Sequence, residues 1–407
     1  MQKPKVVIRA DGSAKIGLGH IHRTLALADY LKDVFEIEFY SYGADDLVSG
    51  LIKSKGYTLI NLAESDYENA AVFLKVIAKD VIIVLDGYKF KTEYQKTLKA
   101  NGNKVVAIDD LNEWENVADV VINHAFSGVD SEYKVSDSTK FYGGLDYAIV
   151  KTEILKSETS SKKNSTDKVL VCIGGTDPDN YSEKVVNELL KGAKIISLLT
   201  YPLNPKFEIL KNQAKENSSR LKVIDSLNMK ELIKLILEND LAILQPSNIA
   251  LEAAALGIHI SLIQTAENQK FILESLINSN CAVKLESENI GKQIASVAVD
   301  QINKQIENQS RLFDKKSPER ILEIFNSLLL ECRPVNEIDI KLIYDWNNDP
   351  VTRANSHNQA KIEYADHEKW FAARIKEENL DFLIFSYNNI PCGSVCIERK
   401  ETENVIG

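Results

Sequence analysis

KVVIRADGSAKIGLGHIHRTLALADYLKD, residues 5–33, sets an apolar run, a glycine-rich loop and an amphipathic helical pattern in direct succession. A short run rich in Val and Ile that gives way to apolar residues at helical spacing is the start of a βα unit. The alternation continues through FEIEFYS, DLVSGLIKSKG, YTLINL, NAAVFLKVIAK, DVIIVLDGY, EYQKTLKANG, KVVAIDD and ADVVINH. Continuous apolar strands separated by helices predict a parallel sheet covered on both faces. Residues 1–155 therefore read as a doubly wound, Rossmann-like α/β domain.

The stretch 156–168, KSETSSKKNSTDK, is nearly free of apolar residues and reads as an exposed connection. Beyond it KVLVCIGGTDPDN, YSEKVVNELLKG, AKIISLLT, LKVIDS, MKELIKLILEND, LAILQPS, NIALEAAALG and IHISLI restart the alternation, so residues 169–331 read as a second Rossmann-like domain. One long helical pattern from about Ile290 to Glu331 closes it, and Pro334 breaks that pattern. Residues 332–407 read as helix, turn and helix followed by a hairpin, FLIFSYNNIPCGSVCIE, with Asn388 and Asn389 in the turn. The fold class expected is α/β, two tandem domains followed by a partial α+β segment.

The 407 residues suffice for two or three domains at roughly 150 residues each, and 44% hydrophobic content fills their cores. A formal charge of −10 argues against a nucleic acid or an anionic membrane as the main partner, so any phosphate site must be local. No apolar stretch approaches the ~20 residues of a membrane helix. The apolar run near the N-terminus stops at Arg9, too soon for a signal peptide. Cys172, Cys281, Cys332, Cys392 and Cys396 form no CxxC pair, which fits reduced thiols and a cytoplasmic protein.

Tandem α/β domains bind ligands between them, at the carboxyl ends of their strands. The loop after the first strand offers three readings. As a dinucleotide fingerprint, Gly17-x-Gly19 lacks its third glycine, since His22 stands there. As a metal site, His20 and His22 lie two apart and share no helix face. As a catalytic loop, Gly17 and Gly19 permit a tight turn and close substrate approach, while His20 sits at a helix N-terminus whose positive end lowers its pKa and leaves a neutral base. A hydrogen-bonded structural histidine is the alternative.

In the second half, Gly174 and Gly175 follow a strand, and Ser247 precedes a helix that carries Glu252. Such a helix end presents free N–H groups to a pyrophosphate, with Ser247 as cap or donor and Glu252 as acceptor for ribose hydroxyls. A capped helix with a dipole-favoured glutamate is the alternative. Asp86-Gly87-Tyr88, Asn123 and the pair Asp109-Asp110 lie at strand ends where turn residues are also common. Asn268 and Gln269 follow a strand as possible sugar or base contacts. His259, His357 and His367 carry no spacing signal.

Taken in order, IRADGSAKIGLGHIHRTLALA, DGY, INH, IGGTD, PSNIALEAAALG and ENQ resemble the UDP-sugar hydrolases of pseudaminic acid biosynthesis, which act on UDP-2,4-diacetamido-2,4,6-trideoxy-β-L-altropyranose. The resemblance runs from about Val6 to Cys281. It implies a GT-B-like arrangement of the two domains with UDP mainly on the second. It makes His20 the catalytic base or the residue that positions the water, and places Tyr88 and Asn268 at the sugar. Gly17, Gly19, Arg23, Asn123, Gly174, Gly175, Ser247, Asn248, Glu252 and Gln269 complete the expected substrate contacts. It further implies water attack at C1 with inversion, no metal and no cofactor.

The tail resembles the first half of GNAT N-acetyltransferases that act on nucleotide-linked amino sugars. The acetyl-CoA loop of that family has no counterpart before Gly407, so acetyl-CoA is an expected ligand only where a longer chain completes the domain. The rival functions are a GT-B glycosyltransferase using a UDP-amino sugar donor and a non-catalytic nucleotide-sugar-binding module. Oligomeric state carries no sequence signature.

Overall fold

Val6, Val7 and Ile8 are buried, as a parallel strand sandwiched between helical layers requires. The chain is seen in a computed structural model that describes residues 3–13, 17–62, 68–160, 163–286, 288–399 and 404–406. It divides into two units, Met1–Leu322 and Glu323–Gly407.

Within the first unit, β1 (Lys5–Ala10), β2 (Glu36–Tyr42), β3 (Thr58–Leu62), β4 (Ile82–Asp86), β5 (Lys104–Ile108), β6 (Val120–Asn123) and β7 (Lys140–Gly143) form one sheet in the order β3-β2-β1-β4-β5-β6-β7. Every pairing in it is parallel. A second parallel sheet holds β8 (Lys168–Cys172), β9 (Ile195–Leu199), β10 (Leu221–Ile224), β11 (Leu241–Leu244), β12 (His259–Leu262) and β13 (Val283–Lys284), in the order β10-β9-β8-β11-β12-β13. Sequence patterning overlooks β7 because this edge strand has no buried residue to mark it.

Local chemistry sets the helix ends. Asp45 accepts from Val48 N at 3.0 Å, and Asn228 with Glu231 forms a reciprocal capping box at 3.1 and 2.9 Å. Gly257, at φ +77, stops the helix Asn248–Leu256 in the left-handed conformation that glycine adopts without strain.

Three features differ from the sequence reading. The single long helix expected from Ile290 is three helices, Ile290–Ala295, Val299–Leu312 and Ser317–Leu328. Ala298 is extended and Lys315 has φ +66, so apolar spacing persists where the backbone turns. The connection 156–168, expected to be exposed, docks on the second sheet's domain in its described part. There Ser160 N donates to Leu256 O at 2.7 Å, and Lys163 Nζ donates to Leu237 O and Asn239 O at 3.0 and 2.8 Å. Ser161 and Lys162 lie outside the described residues.

The second unit holds more than a hairpin. β14 (Leu330–Pro334), β15 (Leu380–Tyr387), β16 (Ile390–Arg399) and β17 (Asn404–Ile406) make an antiparallel sheet in chain order. Ile343, Phe371, Phe382 and Ile384 form its buried core. Asn388 and Asn389, at φ +49 and +62, make the tight turn that their residue types predict.

The packing of the first helix, Gly19–Leu31, on the loop after β1 depends on Gly12. A Cβ there falls 2.4 Å from Cγ1 of buried Ile21. Gly12→Ala is expected to lower stability by about 1–3 kcal/mol, read by thermal unfolding; an unchanged midpoint would contradict this close approach.

Candidate functional site

In each parallel sheet the strand order reverses once, between β1 and β4 in the first and between β8 and β11 in the second. The crevice beyond the carboxyl ends of such a strand pair is where open α/β sheets bind ligands. His20 follows β1 and Asp86 ends β4. Gly174 and Gly175 follow β8, and Ser247 follows β11. Both switch points lie within one unit, and the helix after β11 reaches the loop after β1 through Asn248 and Gly19.

The loop after β1 is closed by Ser13 and Gly17, which exchange backbone hydrogen bonds of 3.3 and 2.9 Å. Gly17 has φ +97, a conformation that favours glycine. A Cβ on Gly19 would meet nothing within 4 Å, so the backbone there borders open space. Leu18 holds the capping position without a side-chain bond.

His20, in the first turn, places Nδ1 2.7 Å from Asp86 Oδ1. Asp86 is 0% exposed. One turn further along the helix, Arg23 donates from Nε to Asp86 Oδ2 at 2.9 Å and from Nη2 to Oδ1 at 2.6 Å. Its Nη1 donates to Asp110 Oδ1 at 2.6 Å and contacts His124 Nε2 at 3.2 Å. A carboxylate only accepts, so His20 Nδ1 carries the proton toward Asp86 and Nε2 keeps its lone pair.

The electrostatics reverse one expectation. Burial pulls the His20 pKa down, but the charge of Asp86 and the hydrogen bond to it outweigh burial, and the net shift is upward from 6.5. The expected lowering by the helix end is overridden by a carboxylate in contact. Burial also opposes the Asp86 charge, yet Arg23 and His20 hold its carboxyl far below the usual range. Protonated His20 therefore stabilises the fold fully below pH 6.5, and that contribution is lost as pH rises through its folded value. Ionised Asp86 contributes above pH 3.8, and that contribution is lost as pH falls through its depressed value. Burial and Arg23 together push His124 down to about 4.

Contacts between the domains frame the cleft. The Tyr88 ring lies edge-on to His20 at 4.9 Å, and its hydroxyl accepts from Asn268 Nδ2 at 2.8 Å. Asn248 Nδ2 donates to Gly19 O at 3.4 Å, which brings the N-terminus of helix Asn248–Leu256 against that of the first helix. Ser247 holds the capping position of this helix but makes no side-chain cap bond, so its hydroxyl is not spent on the helix. Glu252 Oε1 accepts from Lys151 Nζ at 2.6 Å. Gly174 has φ +77, and a Cβ there falls 2.8 Å from the amide of Gln245.

Hydrogen bonds thus bring Tyr88 to Asn268 and Gly19 to Asn248, with His20 against Tyr88 and Ser247 next to Asn248, while Gly174 and Gly175 follow β8 and Glu252 is buried against Lys151. Three further expected ligand contacts are buried among protein partners. Arg23 is buried, with its guanidinium committed to Asp86 and Asp110, so it organises the site from beneath. Asn123 is buried between Tyr133 OH and Ala125 N, at 3.2 and 3.1 Å. Gln269 is buried with its oxygen accepting from Thr265 N at 2.8 Å, and it holds the loop that carries Asn268. Each of these side chains satisfies the buried loop that presents its neighbour.

His124 escaped the sequence reading, which held Asp86 and Asp110 only as weaker candidates beside ordinary turn chemistry. The available signal for Asp86 was a carboxylate ending a wholly apolar strand, VIIVLD, rather than following it as a turn residue. Asp109 parts from Asp110 and accepts from Leu111 N and Tyr133 OH at 2.9 and 2.8 Å. His22 diverges from His20, and burial with Lys151 nearby lowers it to about 4. Among the described residues no group of three or more His, Cys, Asp or Glu is placed to hold a metal ion.

No family model matches the chain. It is 30% identical over 270 residues to the UDP-2,4-diacetamido-2,4,6-trideoxy-β-L-altropyranose hydrolase of Campylobacter jejuni, a match covering 65% of this chain and 93% of that protein. It is 26% identical over 422 residues to an uncharacterised protein of Methanocaldococcus jannaschii, covering 98% of this chain and 84% of the relative. Among solved structures, Phytolacca americana UGT2, complexed with UDP-2-fluoro-glucose and pterostilbene, superposes with a TM-score of 0.59 at 12% identity, over 81% of this chain and 99% of that one. The two parallel sheets thus form a GT-B glycosyltransferase-like α/β fold. No described helix is long and apolar enough to cross a membrane.

The His20 imidazole is expected to titrate above 6.5 by NMR, and Asp86→Asn is expected to move its midpoint down because burial then goes unopposed by that charge. A midpoint that stays in place would remove Asp86 as its partner.

Proposed function

We infer that the chain, which belongs to the family of the UDP-2,4-diacetamido-2,4,6-trideoxy-β-L-altropyranose hydrolase, is a hydrolase that cleaves the C1–O bond of a UDP-linked 2,4-diacetamido-2,4,6-trideoxy sugar and serves pseudaminic acid biosynthesis. The observation that carries this reading is the His20–Asp86 pair at one switch point, held against a helix N-terminus at the other. A base and an anion-binding helix end facing one cleft suit the attack of water on a sugar whose leaving group is a diphosphate.

In this mechanism neutral His20 takes a proton through Nε2 from a water as the water oxygen bonds to C1. The C1–O bond to the diphosphate breaks with its electron pair going to UDP, and the free sugar leaves with its anomeric configuration inverted. Asp86 keeps the proton on Nδ1 and stabilises the imidazolium that forms, as the carboxylate of a catalytic triad does. UDP leaves as a stable anion, so no second carboxylic acid is required. The first N–H groups of the helix Asn248–Leu256 and the Ser247 hydroxyl meet the diphosphate charge. Glu252 accepts from the ribose, and the turn at Gly174 and Gly175 lets the backbone approach the nucleotide. Tyr88 and Asn268 hold the sugar between the domains.

The antiparallel unit is assigned by its sequence to a GNAT-like acetyltransferase segment. Helices packed against an antiparallel sheet are in keeping with that assignment.

The test is hydrolysis of the UDP-diacetamido sugar in ¹⁸O water, followed by NMR and mass spectrometry. Label is expected at the sugar C1 hydroxyl and not in UDP, with turnover persisting in chelator. His20→Ala is expected to lower kcat by about 10²–10⁴-fold with UDP affinity retained. Release of sugar only when an acceptor is added would identify a transferase instead.

A further inference from the structure

Lys151 lies immediately before the short helix Thr152–Leu155, at the end of the first domain, and its ammonium reaches into the second. Its Nζ donates to Glu252 Oε1 at 2.6 Å. Among the described residues this is the ion pair that joins the domain of the first sheet to that of the second, and the two side chains are only 22% and 4% exposed. The exposed pairs along helix surfaces, such as Lys341–Asp345 and Lys96–Glu93, contribute little by comparison. A carboxylate as buried as Glu252 requires a partner, and removing that partner leaves an uncompensated charge.

Glu252 lies one turn beyond Asn248, within the helix whose end faces Gly19. A carboxylate offers about four lone-pair directions on its two oxygens, so a lysine on Oε1 leaves capacity for two hydroxyl donors. His22, close enough to feel Lys151, is lowered to about 4 chiefly by burial and so adds no second positive charge beside the ammonium.

We propose that Lys151 is a positioning residue for the nucleotide: its hydrogen bond holds the Glu252 carboxyl aimed for a ribose diol, and it ties ribose recognition in the second domain to the domain that carries His20. The proposal rests on the reading that Glu252 meets the ribose of UDP. Its chemical content is that a cation from the catalytic half sets the acceptor geometry of the nucleotide half. The ribose is then read only when the two halves stand as they must for water attack. Lys151 touches the substrate through Glu252 and takes no proton itself.

The experiment measures, by calorimetry on the full chain, the affinity for UDP and for 2′,3′-dideoxyuridine diphosphate. The wild type is expected to favour UDP by roughly tenfold or more, the scale of hydrogen bonds to a charged group. Lys151→Met and Glu252→Gln should each bring that ratio toward one, Lys151→Arg should retain it, and the double variant should fall no further than either single one. If Lys151→Met weakens both ligands equally and keeps the wild-type ratio, Lys151 is only a structural tie and the proposal fails while the hydrolase reading stands. If the wild type does not bind UDP, the hydrolase reading itself fails and takes this proposal with it.

Discussion

Asp86 is a carboxylate with no exposure to solvent, set at the last position of a central strand. A charge there is tolerated only with close, hydrogen-bonded compensation. Arg23 supplies a two-pronged contact from one turn inside the first helix, and His20 supplies the remaining one from its start. This fixes the rotation of that helix about its axis, because residues three apart must both reach one carboxylate. The same constraint orients the imidazole, chooses its tautomer and raises its basicity. Asp110 and His124 then close around the far side of Arg23, so the loops after β4, β5 and β6 are registered to one guanidinium.

The two halves of the first unit divide the work along different physical lines. The first concentrates titratable groups around a buried charge. The second, at its equivalent switch point, offers Gly174 and Gly175, an uncapped helix end and the Ser247 hydroxyl, features suited to an anion without placing a basic cluster there. In a chain with a formal charge of −10, an anion site is built more readily from local dipoles than by reversing the overall field. Tyr88–Asn268, Asn248–Gly19 and Lys151–Glu252 hold these unlike surfaces at a fixed separation.

The parallel architecture was legible because β1, β4, β8 and β11 are buried apolar runs, each followed by a chain reversal that glycine or polar residues announce. Edge strands such as β7 and β14 lack that signal because they are partly exposed. At the site, the glycines and His20 were legible from their place in the loop. The error was to read polar residues near the strand ends and in the elements that follow them as all facing the ligand. Arg23, Asn123 and Gln269 are polar because buried loops need donors and acceptors, which spacing cannot distinguish from a ligand's need. The sign of the His20 shift was equally hidden. It depends on a carboxylate 66 positions away in the chain that only the β1–β4 pairing brings within 2.7 Å.

The same scaffold carries transferases, so the choice between water and an acceptor hydroxyl must lie in what surrounds the base rather than in the nucleotide half. Here Tyr88 stands edge-on to the His20 ring, and its hydroxyl is tied to Asn268 on the opposite domain. The ring is 38% exposed, so it borders the cleft and is not buried beneath it. An imidazole whose basicity is raised by Asp86 also suits water, a poor nucleophile that gains most from proton removal as it attacks. Two contacts thus define the surroundings of His20: a carboxylate behind it that raises its basicity, and an aromatic edge beside it that is tied to the opposite domain.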